Sequence, residues 1–99
     1  MLSKQEALIL DILVNSSEEL YGLQIVEASK GKLWRGTIYI ILGGMEDAGL
    51  VKSRPEPESA LRPEIGIVRR LYRPTEGGIR EYRAIESDLG ENGLEPKFA

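Results

Sequence analysis

Apolar residues recur at helical spacing along the first half of the chain and at a period of two just after residue 50. Leu8, Ile9, Ile12 and Leu13 fall at i, i+1, i+4 and i+5, which predicts a first helix over about residues 3–14 with a wide apolar stripe. Ser3-Lys4-Gln5-Glu6 has the spacing of a capping box, with the Ser3 hydroxyl accepting the Glu6 N–H and the Glu6 side chain reaching back. Asn15-Ser16-Ser17 breaks this helix, and Glu19-Leu20-Tyr21-Gly22 reads as a short extended or turn segment. A second helix is predicted over about residues 21–30, with Leu23, Val26 and Ile25 turned inward and Gly31 stopping it. Lys32-Leu33-Trp34-Arg35 links it to the next helix, and Trp34 is expected to plug the core between helices.

Ile38, Leu42 and Met45 then share one face, with Ile41 beside them, and Gly49 sits where a left-handed residue would end the helix. This predicts a third helix over about residues 36–48. Leu50-Val51-Lys52-Ser53 alternates apolar and polar, as a half-buried strand does. Leu50–Arg54 and Ile67–Tyr72 are the predicted strands, and three prolines between them (Pro55, Pro57, Pro63) enforce a long loop. Thr75 can cap a last helix that uses Ile79, Tyr82 and Ile85 and ends near Ile85 or Asp88. Gly77-Gly78 in its first turn costs about 2 kcal/mol against alanine, so the start lies either at the cap or beyond the glycines. The fold class is therefore mostly α with a small β-hairpin. It is a winged helix-turn-helix: three helices, a wing over about residues 50–73 and a fourth helix. Residues 1–89 form the domain and 90–99 a flexible tail.

Composition narrows the function. Ninety-nine residues suffice for one modest core. Cysteine and histidine are both absent, which removes thiolate chemistry, the usual neutral-pH base and the commonest metal ligand. Gly43-Gly44 lacks the Lys-Ser/Thr of a phosphate-binding loop, and Glu46 and Asp47 are helix neighbours pointing about 100° apart. An enzyme is not expected, nor is a cofactor. No apolar run is long enough to span a membrane, and Met1-Leu2-Ser3-Lys4 lacks a signal-peptide layout, so a cytoplasmic protein is expected.

The net charge of −3 argues at first against a polyanionic partner, but its distribution reverses the inference. Residues 30–73 hold nine bases against five acids, whereas both flanking segments are acidic. A basic middle on an acidic chain is the polarity of a molecule that turns one face toward phosphate.

Several motifs resemble the winged-helix domain of the PadR family of bacterial transcription regulators. Gly36-Thr37-Ile38-Tyr39 is similar to the family's GTLY at the start of the recognition helix. Leu42-Gly43-Gly44-Met45-Glu46-Asp47-Ala48-Gly49-Leu50-Val51 follows its L-x-x-L-E-x-x-G-L-V run. Tyr21-Gly22-Leu23-Gln24-Ile25 resembles its HGYEI stretch, and Gly66–Gly78 its GRPRKYYRLTEKG. The resemblance spans about Leu8 to Thr75 and implies a DNA-binding regulator, a repressor, acting on double-stranded DNA as a homodimer. It also implies the possibility of a small apolar effector in a cavity, here lined by Trp34, Tyr82 and the first helix. Two departures stand out. The third helix holds no Lys or Arg, with Gly43-Gly44 where the family is basic or polar, and Ile40 replaces a common proline. The paired glycines imply close approach of a partner's backbone or DNA, or else a poor or kinked helix.

The expected DNA-binding residues are Arg35, Thr37, Tyr39, Arg54, Arg62, Arg69 and Arg70. Thr37 and Tyr39 sit at the helix end that meets base edges. Thr37 is alternatively a cap only, and the Tyr39 ring alternatively packs against the wing. Arg69 and Arg70 are adjacent on a strand, so one faces DNA and the other packs or pairs with an acid. Pairing of copies is expected through Leu8, Ile79, Tyr82 and Ile85. The competing reading is a winged-helix protein-interaction module, an anti-regulator or complex subunit, that docks its uncharged third helix on a protein.

Overall fold

In a computed structural model of the chain, the described residues are 2–57 and 69–91. The element order is α1 (Lys4–Val14), β1 (Leu20–Tyr21), α2 (Gly22–Ala28), α3 (Ile38–Asp47), β2 (Val51–Pro55), β3 (Arg70–Pro74) and α4 (Glu76–Glu91). The predicted Ile67-Val68 start of the second wing strand and the residue 90–99 tail, apart from the end of α4, lie outside the described residues.

α1 begins as its sequence dictates. The Glu6 N–H donates to Ser3 Oγ at 3.1 Å and the Ser3 N–H to Glu6 Oε1 at 2.8 Å, closing the capping box. Ala7, Leu8, Ile9, Leu10 and Leu13 are buried, so the predicted stripe holds at Leu8, Ile9 and Leu13 and widens to Ala7 and Leu10, with Ile12 half-buried against it. α2 buries Ile25, while Leu23 is exposed and Val26 half-buried. A seven-residue helix has room for one fully inward position, and Ile25 occupies it. Its chain turns away through Lys30 and Gly31, both with positive φ. Trp34 does not plug the core: it is 71% exposed, and its neighbour Leu33 takes the buried position at 2%.

α3 places Ile38, Leu42 and Met45 in the core, all fully buried. It ends in a Schellman arrangement: Gly49 has φ +77°, its N–H donates to Glu46 O at 3.0 Å, and the Leu50 N–H donates to Met45 O at 2.9 Å. The sheet has three strands in the order β1-β3-β2, all antiparallel, so the wing hairpin gains Leu20–Tyr21 as a third strand. β2 and β3 pair Val51 with Pro74, Ser53 with Tyr72 and Pro55 with Arg70.

α4 starts at the cap rather than beyond the glycines. Thr75 Oγ1 accepts the Gly78 N–H at 2.9 Å and donates to Gly49 O at 2.6 Å, tying the new helix to the end of the third. A β-carbon on Gly78 would lie 2.1 Å from Leu50 O, so this turn fits against the α3–β2 corner only without a side chain. α4 continues to Glu91, beyond the predicted end near Asp88. Tyr82 closes the core from α4, donating its hydroxyl to Asp11 on α1 and to Glu86 at 3.0 Å. Burial, then these two carboxylates, hold its phenol above the ordinary range.

The glycine pairs of α3 and α4 should therefore respond oppositely to alanine. Gly43 and Gly44 meet nothing within 4 Å of an added β-carbon, so Gly43→Ala and Gly44→Ala are each expected to stabilise by about 1 kcal/mol. Gly78→Ala is expected to destabilise by about 2 kcal/mol or more through backbone overlap. Urea unfolding followed by circular dichroism measures all three.

Candidate nucleic-acid interface

The outward face of α3 follows from its inward one. With Ile38, Leu42 and Met45 buried, the opposite stripe is Ile40, Gly43, Gly44 and Asp47, and all four are exposed. No side chain caps this helix and no acid occupies its first turn, so the positive end of its dipole is left uncompensated. Thr37 is the N-cap residue by position only; its hydroxyl lies 3.5 Å from Trp34 O, at the outer limit of a hydrogen bond. The reading of Thr37 as merely a side-chain cap is therefore not met. Tyr39 is 52% exposed, and its ring lies over α2: a β-carbon on Gly22 would fall 2.6 Å from Tyr39 Cε1. The ring thus packs on α2, and Gly22 leaves the space for it.

The wing cations divide between the two faces of the sheet, because successive residues alternate. Val51, Ser53 and Tyr72 lie on the face toward the helices, where Val51 and Tyr72 are buried. Arg70 shares that face. Its Nε donates to Ser53 Oγ at 2.9 Å, and Ser53 Oγ donates to Glu46 of α3 at 2.9 Å. A serine thus links Arg70 to α3 and holds the guanidinium beside that helix. Burial and the nearby Glu46 carboxylate raise the Tyr72 phenol.

The other face carries Lys52, Arg54, Arg69 and Arg73. Lys52 and Arg73 are direct cross-strand partners. Arg54 pairs with Glu19 at 2.6 Å, and the hydrogen bond from Arg54 holds the Glu19 carboxyl below its usual range. Arg69 pairs with Glu56 at 2.8 Å and stacks 4.1 Å over the Tyr21 ring, whose hydroxyl also donates to Glu56. That hydroxyl's bond to Glu56 is the chief reason the Tyr21 phenol is raised. Glu56 is only 4% exposed, so a buried carboxylate between two prolines anchors the hairpin at the end away from α3's C-terminus, just past the Pro55–Arg70 pair. The structure thus leaves Arg35, Thr37 and Tyr39 at the N-terminal end of α3, ties Arg70 through Ser53 to Glu46 in the helix's last turn, and sets Arg54 and Arg69 on the far side of the sheet in ion pairs. Arg62 lies outside the described residues.

Sequence reasoning missed Glu19, Tyr21 and Glu56 as the partners that occupy two wing arginines. Only the strand pairing of Leu20–Tyr21 brings them within reach, and the only sequence signal for it was the short extended stretch before α2. Of the residues expected to pair copies, Leu8 and Tyr82 are enclosed by their own chain, while Ile79 and Ile85 are half-buried on α4. In the single chain Trp34 is exposed and Tyr82 is packed against α1. An open groove of about 660 Å³ lies beside Lys52, Arg73, Thr75, Ile79 and Arg80.

These features define a winged helix-turn-helix domain, and its fold is that of PadR-family regulators. The chain superposes on a PadR family transcription regulator from Clostridium difficile with a TM-score of 0.75, at 24% identity over 92% of each chain. A PadR-like transcriptional regulator from Bacillus cereus gives 0.65 at 24% identity, over 90% of this chain and 84% of that one. Bacillus subtilis PadR, solved in complex with operator DNA, gives 0.62 at 22% identity, over 81% of this chain and 45% of that one. The sequence itself matches no protein-family model and no curated protein. No described helix is long and apolar enough to cross a membrane.

The two ion pairs make a separable prediction. The Glu19 value is depressed in the fold, so its stabilisation is complete above the ordinary carboxylate value of 4.5 and is lost as pH falls through the lowered value. Glu19→Gln should melt below the parent at pH 7 and converge with it in acid. Arg69→Ala strips a counter-charge from buried Glu56 and should lower the melting temperature more than Arg70→Ala does.

Proposed function

We propose that this chain is a sequence-specific DNA-binding transcription regulator, a repressor, that places the exposed N-terminal half of α3 in the major groove. The observation that supports it most directly is the geometry at that end of α3. The outward stripe of the helix is open to solvent, its dipole is uncompensated, and Arg35 precedes it, with Arg70 tied to the helix's other end through Ser53 and Glu46, in a fold like that of an operator-bound PadR. Arg35 and Arg70 supply phosphate contacts, Thr37 and Tyr39 hydrogen bonds near base edges, and the protein works without catalysis or cofactor in the cytoplasm. Arg54 and Arg69, being paired internally, support the wing rather than the contact. Two copies joined through α4, with Ile79 and Ile85 at the seam, would read half-sites about 34 Å apart.

A second reading has its own observation. The outward stripe of α3 contains no cation, and Trp34 and Ile40 stand exposed beside it. That surface also suits a protein partner, and the two readings differ in their dependence on salt. With two phosphate contacts from each of two copies, affinity for duplex DNA should fall about ten-fold for each doubling of salt. Arg35→Ala and Arg70→Ala should each reduce the salt slope by about two, one for each copy, while leaving the fold intact. Fluorescence anisotropy on a labelled random duplex at several salt concentrations measures this. Absence of binding at low salt, with the protein folded, would favour the protein-partner reading.

A further inference from the structure

We infer that α3 reads thymine through its C5-methyl group, with Ile40 as the specificity-determining residue and Gly43-Gly44 as the clearance that lets it reach the base. This rests on the DNA-binding reading above and adds to it a base preference.

α3 lacks the side chains that read purines. Guanine is recognised in the major groove by Arg or Lys on N7 and O6, and adenine by the amide of Asn or Gln. The ten residues of α3, Ile38–Asp47, contain none of these four types. Only one base edge in that groove offers apolar surface, the methyl of thymine. The one large apolar side chain on the outward stripe is Ile40, and it is 75% exposed, so its own chain leaves the surface uncovered. It sits in the first helical turn, the part of a recognition helix that meets base edges.

The glycines supply the second part. Gly43 and Gly44 follow Ile40 at i+3 and i+4, on the same face. Each would accept a β-carbon without touching anything within 4 Å, so packing within the chain does not call for either. Both weaken the helix that must present the surface. A bare helix face one turn beyond Ile40 has a physical use if something outside the chain comes close to the backbone there. Edges of bases on the floor of a groove do so. A side chain at either position would hold the helix away and withdraw Ile40 from the methyl.

Charge selects DNA over a protein as the occupant. Arg35 precedes the helix, Arg70 is held beside it through Ser53 and Glu46, and the uncapped N-terminus adds its partial positive charge. An apolar side chain at the cationic end of the helix, with Asp47 a full two turns away at the other end of the stripe, matches a methyl on the floor of a groove flanked by phosphates.

The test uses the whole chain and two duplexes that differ only in the methyl, alternating dA·dT and alternating dA·dU, in anisotropy titrations at fixed low salt. The expected result is tighter binding to dA·dT by about four-fold for each methyl covered. Ile40→Ala should bind the two duplexes equally while keeping the parent's salt slope. Gly43→Leu should weaken binding to dA·dT without lowering the melting temperature. Equal, salt-dependent binding of both duplexes by the parent would overturn the methyl reading and leave the DNA-binding proposal standing. Failure to bind either at low salt would overturn both and give the apolar strip to a protein partner.

Discussion

Four elements meet at Gly49 and Leu50, and the disposition of every surface considered above depends on the hydrogen bonds made there. The left-handed Gly49 ends α3 and turns the chain directly into β2. Its carbonyl accepts the Thr75 hydroxyl, and the Leu50 carbonyl accepts the Thr75 N–H at 3.1 Å. The same Thr75 oxygen then caps α4, whose Gly78 rests against the Leu50 carbonyl with no space for a side chain. One corner thus fixes where α3 stops, where the wing departs and returns, and where the last helix begins. Tyr82, four residues on from Gly78, can then reach Asp11 and close the core against α1.

That corner orients α3 so that one stripe is buried and its opposite is bare. The wing is held beside it by a polar relay from Glu46 through Ser53 to Arg70, and by the buried Glu56 carboxylate shared between Tyr21 and Arg69. The electrostatic consequence differs from a simple count of charges. The middle of the chain is basic, yet Arg54 and Arg69 are neutralised within the sheet, and Lys52 and Arg73 face away from α3. The cations left beside the helix are few, so the DNA contact proposed for it would draw more on shape and apolar contact than on charge.

The elements, the Gly49 stop and the inward stripe of α3 were legible because each is local. Helical spacing, a capping box and a left-handed glycine are decided within a few residues. The misplacements have equally definite causes. Trp34 suits a core plug between helices, but the turn after Gly31 gives the inward position to Leu33. Leu23 fits the helical period as well as Ile25 does, and only the packing of a seven-residue helix separates them. The partners of Arg54 and Arg69 lie far off in sequence at Glu19 and across the wing at Glu56, and no periodic pattern announces them. Gly77-Gly78 looked like a weak start for a helix, whereas at Gly78 the absence of a side chain is what lets the helix dock.

The central claim is that the bare face of α3, not the sheet or α4, meets the duplex. Backbone amide chemical shifts measured during titration with duplex DNA test it most directly, because Gly43 and Gly44 provide two resonances on that face and nowhere else. The account predicts that these two amides, with those of Thr37, Tyr39 and Ile40, shift first and furthest. Shifts confined to Lys52, Arg73 and the start of α4, with Gly43 and Gly44 unmoved, would contradict it.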